Sequence, residues 1–268
     1  MTTSTISASA GTTRSELGWA ISDSLAMIGR SIRHGMRNTD ALIMAVVLPV
    51  MLMLLFVYVF GGAMETGTSY VDYVVPGLIV LCAGFGAGTT AAAVALDMSN
   101  GIVDRFLSMP VAPSSVVTGH VVASLLRNLL ATFLVIGVGL AVGWRPTGSA
   151  LDWLGAIALI VLFILALSWL AAAVGLVAGS PEAANSMTIV LMFLPYLSTA
   201  FVPVDTMPSW LRGFAEHQPM TPVIETLRGL WMGTPLDNQP VWAVGWCLAI
   251  LGVAIVVAGR LFARRTAR

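Results

Sequence analysis

The side chains that could carry chemistry in this 268-residue chain are few, and they lie outside its long apolar runs. The sequence has three histidines, His34, His120 and His217, and all three are predicted to lie outside the apolar core. Every Asp and Glu falls in a loop, a tail or the end of an apolar run, and no H-E-x-x-H or G-x-S-x-G motif occurs. Ion-coupled carriers usually place carboxylates or His inside their spans. These features disfavour both an intramembrane enzyme and a secondary carrier.

All thirteen basic side chains are Arg, and the sequence contains no Lys. Because a P-loop needs a Lys to reach the nucleotide phosphates, we expect this chain not to hydrolyse ATP by that route. We also expect it to hold no cofactor or metal of its own. Arg127 is the one charge predicted inside an apolar run, where it can extend toward the membrane surface. A structural role is favoured for it over contact with a substrate. The formal net charge is zero, and we predict no nucleic-acid partner.

One predicted loop, at about residues 97–120, combines charges with bulky apolar side chains. Exposed apolar groups beside charges are typical of a docking surface. The alternative is that the two bulky residues, Phe106 and Leu107, pack against a bilayer. The candidate docking residues are Asp104, Arg105, Phe106, Leu107, Ser108, Met109 and Pro110.

Six long apolar segments must position these residues. Hydrophobic residues make up 57% of the chain and charged residues 10%, whereas soluble domains carry about 25% charged residues. A run of about 20 apolar residues spans a bilayer as a helix. The sequence therefore predicts an all-α polytopic membrane protein with six transmembrane helices. The predicted spans are 41–61, 73–96, 121–143, 153–178, 187–204 and 241–262, and Pro195 predicts a kink or break in the fifth.

The arginines indicate the orientation of these spans. Leaving out Arg127, nine arginines lie before the first segment, after the second or at the C-terminus, and three lie on the opposite side. Positive charge favours the cytoplasmic side, so both termini are predicted to be cytoplasmic. Residues 1–15 indicate a disordered tail, followed by a single membrane domain over 16–268. Apolar residues at helical spacing over 17–37 predict a helix along the membrane surface.

The connection between the fifth and sixth segments is predicted to be external. Trp210 belongs to a short apolar face, and Pro219 and Pro222 interrupt the chain after it. A helical pattern follows, in which Glu225 and Arg228 are three residues apart and can pair. Because the stretch is too short to span, it would enter the bilayer and return, or lie at the interface. The alternative is a solvated loop with a belt of Trp.

Four motifs along the chain resemble those of the membrane subunits of type-2 ABC transporters, in particular the daunorubicin/doxorubicin-resistance permeases of actinobacteria. Residues 101–113 resemble the family's coupling loop, and 203–211 resemble its exit from span five. Residues 218–231 resemble its external re-entrant region. The stretch 179–185 resembles its second cytoplasmic turn, with Pro181, Glu182 and Asn185 as candidate site residues. The likeness covers nearly the whole chain.

The resemblance implies that two such subunits, identical or related, pair with two separate ATPase subunits that carry ATP and Mg. The coupling helix would be 104–109, and the helix over 17–37 would be the connecting helix. The implied activity is export across the bacterial plasma membrane, and the charge-poor spans fit a hydrophobic or amphipathic cargo such as a drug, an antibiotic or a lipid. The alternative from another class is a membrane scaffold or assembly protein without transport activity.

Overall fold

The structure is a computed structural model that describes residues 39–63, 69–100 and 114–266. Within these ranges the chain forms helices joined by short connections, and no strand is present. The predicted tail (1–15), the predicted surface helix (17–37) and the candidate docking residues 104–110 lie outside the described residues. The structure therefore leaves those three predictions untested.

The described ranges contain eight α-helices. They are α1 (Thr39–Leu54), α2 (Tyr70–Ser99), α3 (Ser114–Val142), α4 (Ala150–Val177), α5 (Pro181–Phe193), α6 (Ser209–His217), α7 (Met220–Met232) and α8 (Gln239–Thr266). A π-helical stretch, Leu55–Phe60, continues α1, and short 3-10 turns occur at Leu194–Leu197 and Val204–Thr206.

Four of these helices are long and apolar enough to cross a membrane. They are α2, residues Val117–Val142 of α3, α4, and residues Gln239–Leu261 of α8. They match the second, third, fourth and sixth predicted segments and confirm an all-helical, polytopic class for the described part of the chain. The first segment contains a shorter apolar helix, Val47–Phe60, so the count of six spans stays a prediction.

The fifth apolar segment, predicted over 187–204 with a kink or break at Pro195, is divided in the structure. Helix α5 begins at Pro181, because the Ser180 side chain accepts a hydrogen bond from the backbone N–H of Ala183 and Pro fits the first helical turn. The α-helix ends at Phe193, and Pro195 lies in the 3-10 turn that follows. The predicted break at Pro195 is therefore confirmed, whereas the predicted bounds were wrong.

The helices on either side of the candidate docking loop are longer than their apolar segments. Helix α2 continues to Ser99 and α3 begins at Ser114, so the loop predicted over 97–120 is confined to 100–113. His120 consequently lies inside α3 rather than in a loop, and its Nε2 is 3.0 Å from Oδ2 of Asp97 in α2. A helix can continue through polar residues when their side chains have hydrogen-bond partners on a neighbouring helix, and hydropathy alone does not reveal such partners.

Helix α2 lies at the centre of the described bundle and packs against α1, α3, α4, α5 and α7. It approaches α4 closely at Gly175, where a Cβ atom would lie 2.5 Å from the carbonyl oxygen of Ala91. The ends of α2 and α4 that precede residues 100–113 and 178–180 therefore lie on the same side of the bundle. Both predicted cytoplasmic connections leave from that side.

Candidate functional site

Helices α6 and α7 occupy the region where a re-entrant segment was predicted. Helix α7 packs against α2, α4 and α8, and most of its residues are buried. Pro219 occupies the position just before the helix, and Pro222 lies in its first turn, where backbone N–H groups have no helical partner and Pro is tolerated. Trp210, in α6, is 79% exposed. The two helices are thus present, and their entry into a bilayer stays a prediction.

Arg228 is the charged residue that holds α7 in place. It is buried, and its guanidinium donates hydrogen bonds to Oε1 of Glu225 at 2.6 Å and to the carbonyl oxygens of Tyr73 and Thr199 at 3.0 Å each. The same group stacks 3.8 Å from the centre of the Tyr73 ring. The predicted Glu225–Arg228 pair is therefore present, and Arg228 also ties α7 to α2 and to the chain after α5.

Three tryptophans add contacts at the C-terminal end of α7, less than one turn after Arg228. The rings of Trp144, Trp153 and Trp231 lie 5.2 to 6.1 Å apart. The backbone N–H groups of Thr147 and Gly148 both donate to the carbonyl oxygen of Trp231. The C-terminal half of α7 is thus bonded to α2 through Arg228 and to the α3–α4 connection through Trp231.

A cluster of buried polar side chains links α2, α3 and α4 and was not predicted from the sequence. The hydroxyl oxygen of Ser124, in α3, is 2.7 Å from that of Thr90 in α2 and 2.9 Å from that of Ser168 in α4. The Asn128 side chain donates to the backbone oxygen of Ser124 at 3.0 Å. Interhelical bonds of this kind average about 0.6 kcal/mol each, and they fix the rotation of the three helices relative to one another.

Arg127 joins this cluster from the edge. Its Nη2 donates to Oγ1 of Thr90 at 3.2 Å, which places the guanidinium against α2. Side chains in a helix lean toward its N-terminus, and for Arg127 that is the end of the bundle where 100–113 connects α2 to α3. The predicted extension toward the membrane surface agrees with this direction.

The second predicted cytoplasmic turn consists of fewer residues than expected. Pro181, Glu182 and Asn185 lie in the first two turns of α5, and the turn itself comprises 178–180. Asn185 packs closely on α2, with its Oδ1 atom 2.8 Å from the position of a Cβ at Gly88. Hydrogen bonds from its own backbone N–H and from the Ser180 hydroxyl hold the pKa of Glu182, which is exposed, below the ordinary value. Glu182 therefore presents a carboxylate at the surface.

No group of three or more His, Cys, Asp or Glu residues that could hold a metal ion occurs in the ranges 39–63, 69–100 and 114–266. Cys82 and Cys247 are buried free thiols. The described residues thus offer helix-packing and surface features rather than a catalytic constellation.

Comparison with known families decides the class of this bundle. The family model described as ABC-2 type transporter matches residues 23–232, which is most of the chain. The chain belongs to the ABC-2 type transporter family. This confirms the resemblance identified from the four sequence motifs, and the chain is a multi-pass membrane protein of the cell membrane.

Individual ABC-2 relatives resemble the chain over most of their length. It is 28% identical over 247 residues to the daunorubicin resistance ABC transporter permease protein DrrB1 of Streptomyces coeruleorubidus, covering 91% of this chain and 86% of the relative. It is 27% identical over 236 residues to the probable doxorubicin resistance ABC transporter permease protein DrrC of Mycobacterium tuberculosis, covering 85% of each chain. The putative transport permease ycf38 of Porphyra purpurea is 23% identical over 239 residues, covering 86% of this chain and 81% of the relative.

The ABC-2 match includes both predicted cytoplasmic connections and the α6–α7 pair. The polar cluster of Thr90, Ser124, Asn128 and Ser168 was missed because small polar side chains do not interrupt an apolar run and their spacing along the chain does not show that they meet. The adjacent pair Arg127 and Asn128 was the available signal, since two strongly polar neighbours inside a span need partners.

Proposed function

We propose that this chain is the membrane subunit of an ATP-driven exporter that moves a hydrophobic or amphipathic compound out of the cell, powered by a separate ATPase chain. The observation that carries the proposal is the ABC-2 family match over residues 23–232 in a chain without Lys. Relatives named for daunorubicin and doxorubicin resistance support a drug or antibiotic as cargo, and a lipid belongs to the same chemical class.

The proposed contact with the ATPase is formed by residues 104–110, with Pro181, Glu182 and Asn185 beside them. Two contacts support this arrangement. Gly175 lies against Ala91, and Asn185 lies against Gly88, so the connections after α2 and after α4 leave from one end of the bundle. A single partner can therefore contact both.

We assign that end to the cytoplasm, with both termini there and six spans in all. The Arg distribution supports this orientation. Two of the spans would then be formed by α1 with its π-helical extension and by α5 with the turn after it. The α6–α7 pair lies on the external side as a re-entrant segment, and the burial of Arg228 with its bonds to Tyr73 and Thr199 supports it. The helix over 17–37 lies along the cytoplasmic membrane surface.

A second permease chain and the lipids cover the apolar residues that the described bundle exposes. These residues occur on several helices and include Met51, Val190, Phe193, Val241 and Val253, which are 53% exposed or more. Exposed apolar surface of this extent indicates contact with lipid or protein.

The proposed mechanism is mechanical. ATP binding brings two ATPase subunits together and moves the residues docked on them, and this requires different contacts at 104–110 in the two nucleotide states. Because α2 is bonded to α3, α4 and α7 through the contacts described above, the displacement is transmitted as a rigid-body motion to the cavity between two permeases.

The test is capture of the ATPase. The chain is co-expressed with the P-loop protein of a neighbouring reading frame, purified, and assayed for co-purification and ATP hydrolysis, with and without Arg105→Glu plus Phe106→Asp. A matched control, Arg145→Glu plus Phe214→Asp, makes the same changes at the opposite end of the bundle, where both residues are exposed.

Capture by the wild type and the control, and its loss in the Arg105/Phe106 variant, is the expected result. Unchanged capture in that variant contradicts the proposed docking site. A chain that captures no ATPase supports a scaffold role. Uptake driven by a proton gradient in ATPase-free vesicles supports a secondary carrier, for which Asp97 and His120 are the residues to replace.

A further inference from the structure

The guanidinium of Arg127 lies at the contact between α2 and α3, here called the α2–α3 seam. Arg127 donates from Nη2 to the neutral hydroxyl of Thr90. Among the residues that the structure describes, carboxylates contact basic side chains at Asp97–His120 and Glu225–Arg228, so no carboxylate there neutralises the charge on Arg127. An uncompensated charge inside a bilayer is costly, which indicates an anionic partner from outside the described chain.

The guanidinium of Arg127 is only partly covered by the described bundle. None of its nitrogen atoms is buried without a hydrogen-bond partner, and the residue itself is partly exposed. On α3 it lies between the buried Ser124 and Asn128 and a stripe of exposed apolar residues. That stripe consists of Leu126, Leu130 and Leu134, which are 47%, 54% and 44% exposed. The partner therefore approaches from the surroundings of the bundle.

The depth of this position suits a lipid headgroup. Helix α2 has 30 residues and is about 45 Å long, while the hydrocarbon core is about 30 Å thick. Each end of a centred α2 then extends about 7 Å beyond the hydrocarbon. Thr90 is nine residues, or about 14 Å, from Ser99, so the guanidinium bonded to it lies about 6 Å inside the hydrocarbon. Local thinning of the bilayer brings a phosphate to that depth.

We propose that Arg127, held by Thr90, binds the phosphate of one phospholipid in the leaflet next to the Ser99 end of α2, which is the cytoplasmic leaflet in the proposed topology. The planar guanidinium presents paired donors that match a phosphate. One acyl chain lies along Leu130 and Leu134, which extend from Arg127 toward the middle of the bilayer. The site requires only that the chain is embedded in a bilayer, and neither ATPase binding nor export is needed for it.

The test is lipid binding to the purified full-length chain, followed by native mass spectrometry in detergent. Phosphatidylglycerol is titrated against the wild type, Arg127→Gln and Arg127→Lys. The matched control is Arg145→Gln, which removes the same charge from an exposed residue at the other end of the bundle. Diacylglycerol with the same acyl chains lacks the phosphate, and inorganic phosphate lacks the acyl chains.

We expect Arg127→Gln to bind phosphatidylglycerol about ten- to a hundredfold more weakly than the wild type, the range for a charge-assisted hydrogen bond. Arg145→Gln should bind as the wild type does, and diacylglycerol should not distinguish the variants. Equal phosphatidylglycerol binding by Arg127→Gln and wild type overturns the proposal. Equal loss in Arg145→Gln also overturns it, because the effect would then be nonspecific. Inorganic phosphate that competes at equal concentration identifies a free-anion site and overturns the lipid assignment.

The Lys variant decides the case in which Arg127→Gln aggregates. Lys keeps the charge but lacks the planar pair of donors, so several-fold weaker phosphatidylglycerol binding supports the proposal and unchanged binding overturns it. Since the chain is tested alone, failure to capture an ATPase leaves this result unaffected, and the two proposals fail separately.

Discussion

Replacing Arg228 with Met removes the guanidinium but keeps the length and apolar stem of the side chain. The carbonyl oxygens of Tyr73 and Thr199 then lose a donor at 3.0 Å, and Glu225 loses its ion-pair partner at 2.6 Å. The affected groups lie on three separate parts of the chain. The substitution therefore weakens the attachment of α7 to α2 and to the residues after α5.

The size of the effect follows from burial. The side chain of Arg228 is 8% exposed and that of Glu225 is 28% exposed. Removing one partner of a buried ion pair costs about 3–5 kcal/mol, and Glu225 recovers part of this by hydration. We therefore expect a loss of about 3–4 kcal/mol in the free energy of unfolding. At about 2–4 °C per kcal/mol for a chain of this size, the melting temperature falls by about 6–16 °C.

The assay is thermal melting of the purified protein in detergent, followed by intrinsic Trp fluorescence. Arg145→Met is the control, because Arg145 is exposed and its guanidinium bonds only the nearby carbonyls of Leu140 and Trp144. Its melting temperature should change by about 2 °C or less. A fall for Arg228→Met no larger than that of the control would refute the idea that Arg228 anchors α7.

Two further predictions use the same melting assay. Gly175→Ala should lower the melting temperature by the equivalent of about 1–3 kcal/mol, because the new Cβ would overlap the carbonyl oxygen of Ala91. The control is Gly252→Ala, whose new Cβ would have nothing within 4 Å and should not lower the melting temperature. Equal shifts for the two variants would contradict the close α2–α4 contact. Hydrogen bonds hold the pKa of Glu182 below its ordinary 4.5, so its carboxylate stabilises the fold above that pH and this contribution is lost as the pH falls further. The melting temperature of the wild type, compared with that of Glu182→Gln at the same pH, should therefore fall as the pH is lowered from about 6 to about 3. A difference in melting temperature that is constant with pH would contradict the hydrogen bonds at Glu182.

The features predicted correctly are those set by local composition. The spans formed by α2, α4 and α8 can be recognised from sequence because a run of about 20 apolar residues has the length and composition of a membrane-crossing helix. The break at Pro195 follows from the missing backbone N–H. The Glu225–Arg228 pair follows from a spacing of three residues on one helix. None of these needs knowledge of which helices are neighbours.

The features predicted wrongly depend on capping or on tertiary contacts. Hydropathy placed the start of the fifth helix at 187, but Ser180 and Pro181 begin it six residues earlier. Hydropathy also placed His120 in a loop, although its contact with Asp97 lies inside two paired helices. The bonds from Arg228 to Tyr73 and Thr199 cross 155 and 29 residues of chain, and no sequence pattern indicates them.

The polar residues of the α2–α3 seam show what a better sequence criterion would use. Asp97 pairs with His120, and Thr90 pairs with Arg127. The two members on each helix are seven residues apart, which is close to two helical turns, and the order is reversed between the helices. Antiparallel neighbours bring such mirrored spacings together, so each residue finds its partner at a constant register. When two consecutive apolar segments each carry two polar residues seven positions apart, that pattern therefore indicates that the two helices pack against each other in antiparallel fashion. It does so even where each polar residue alone would be read as an isolated interruption of a span.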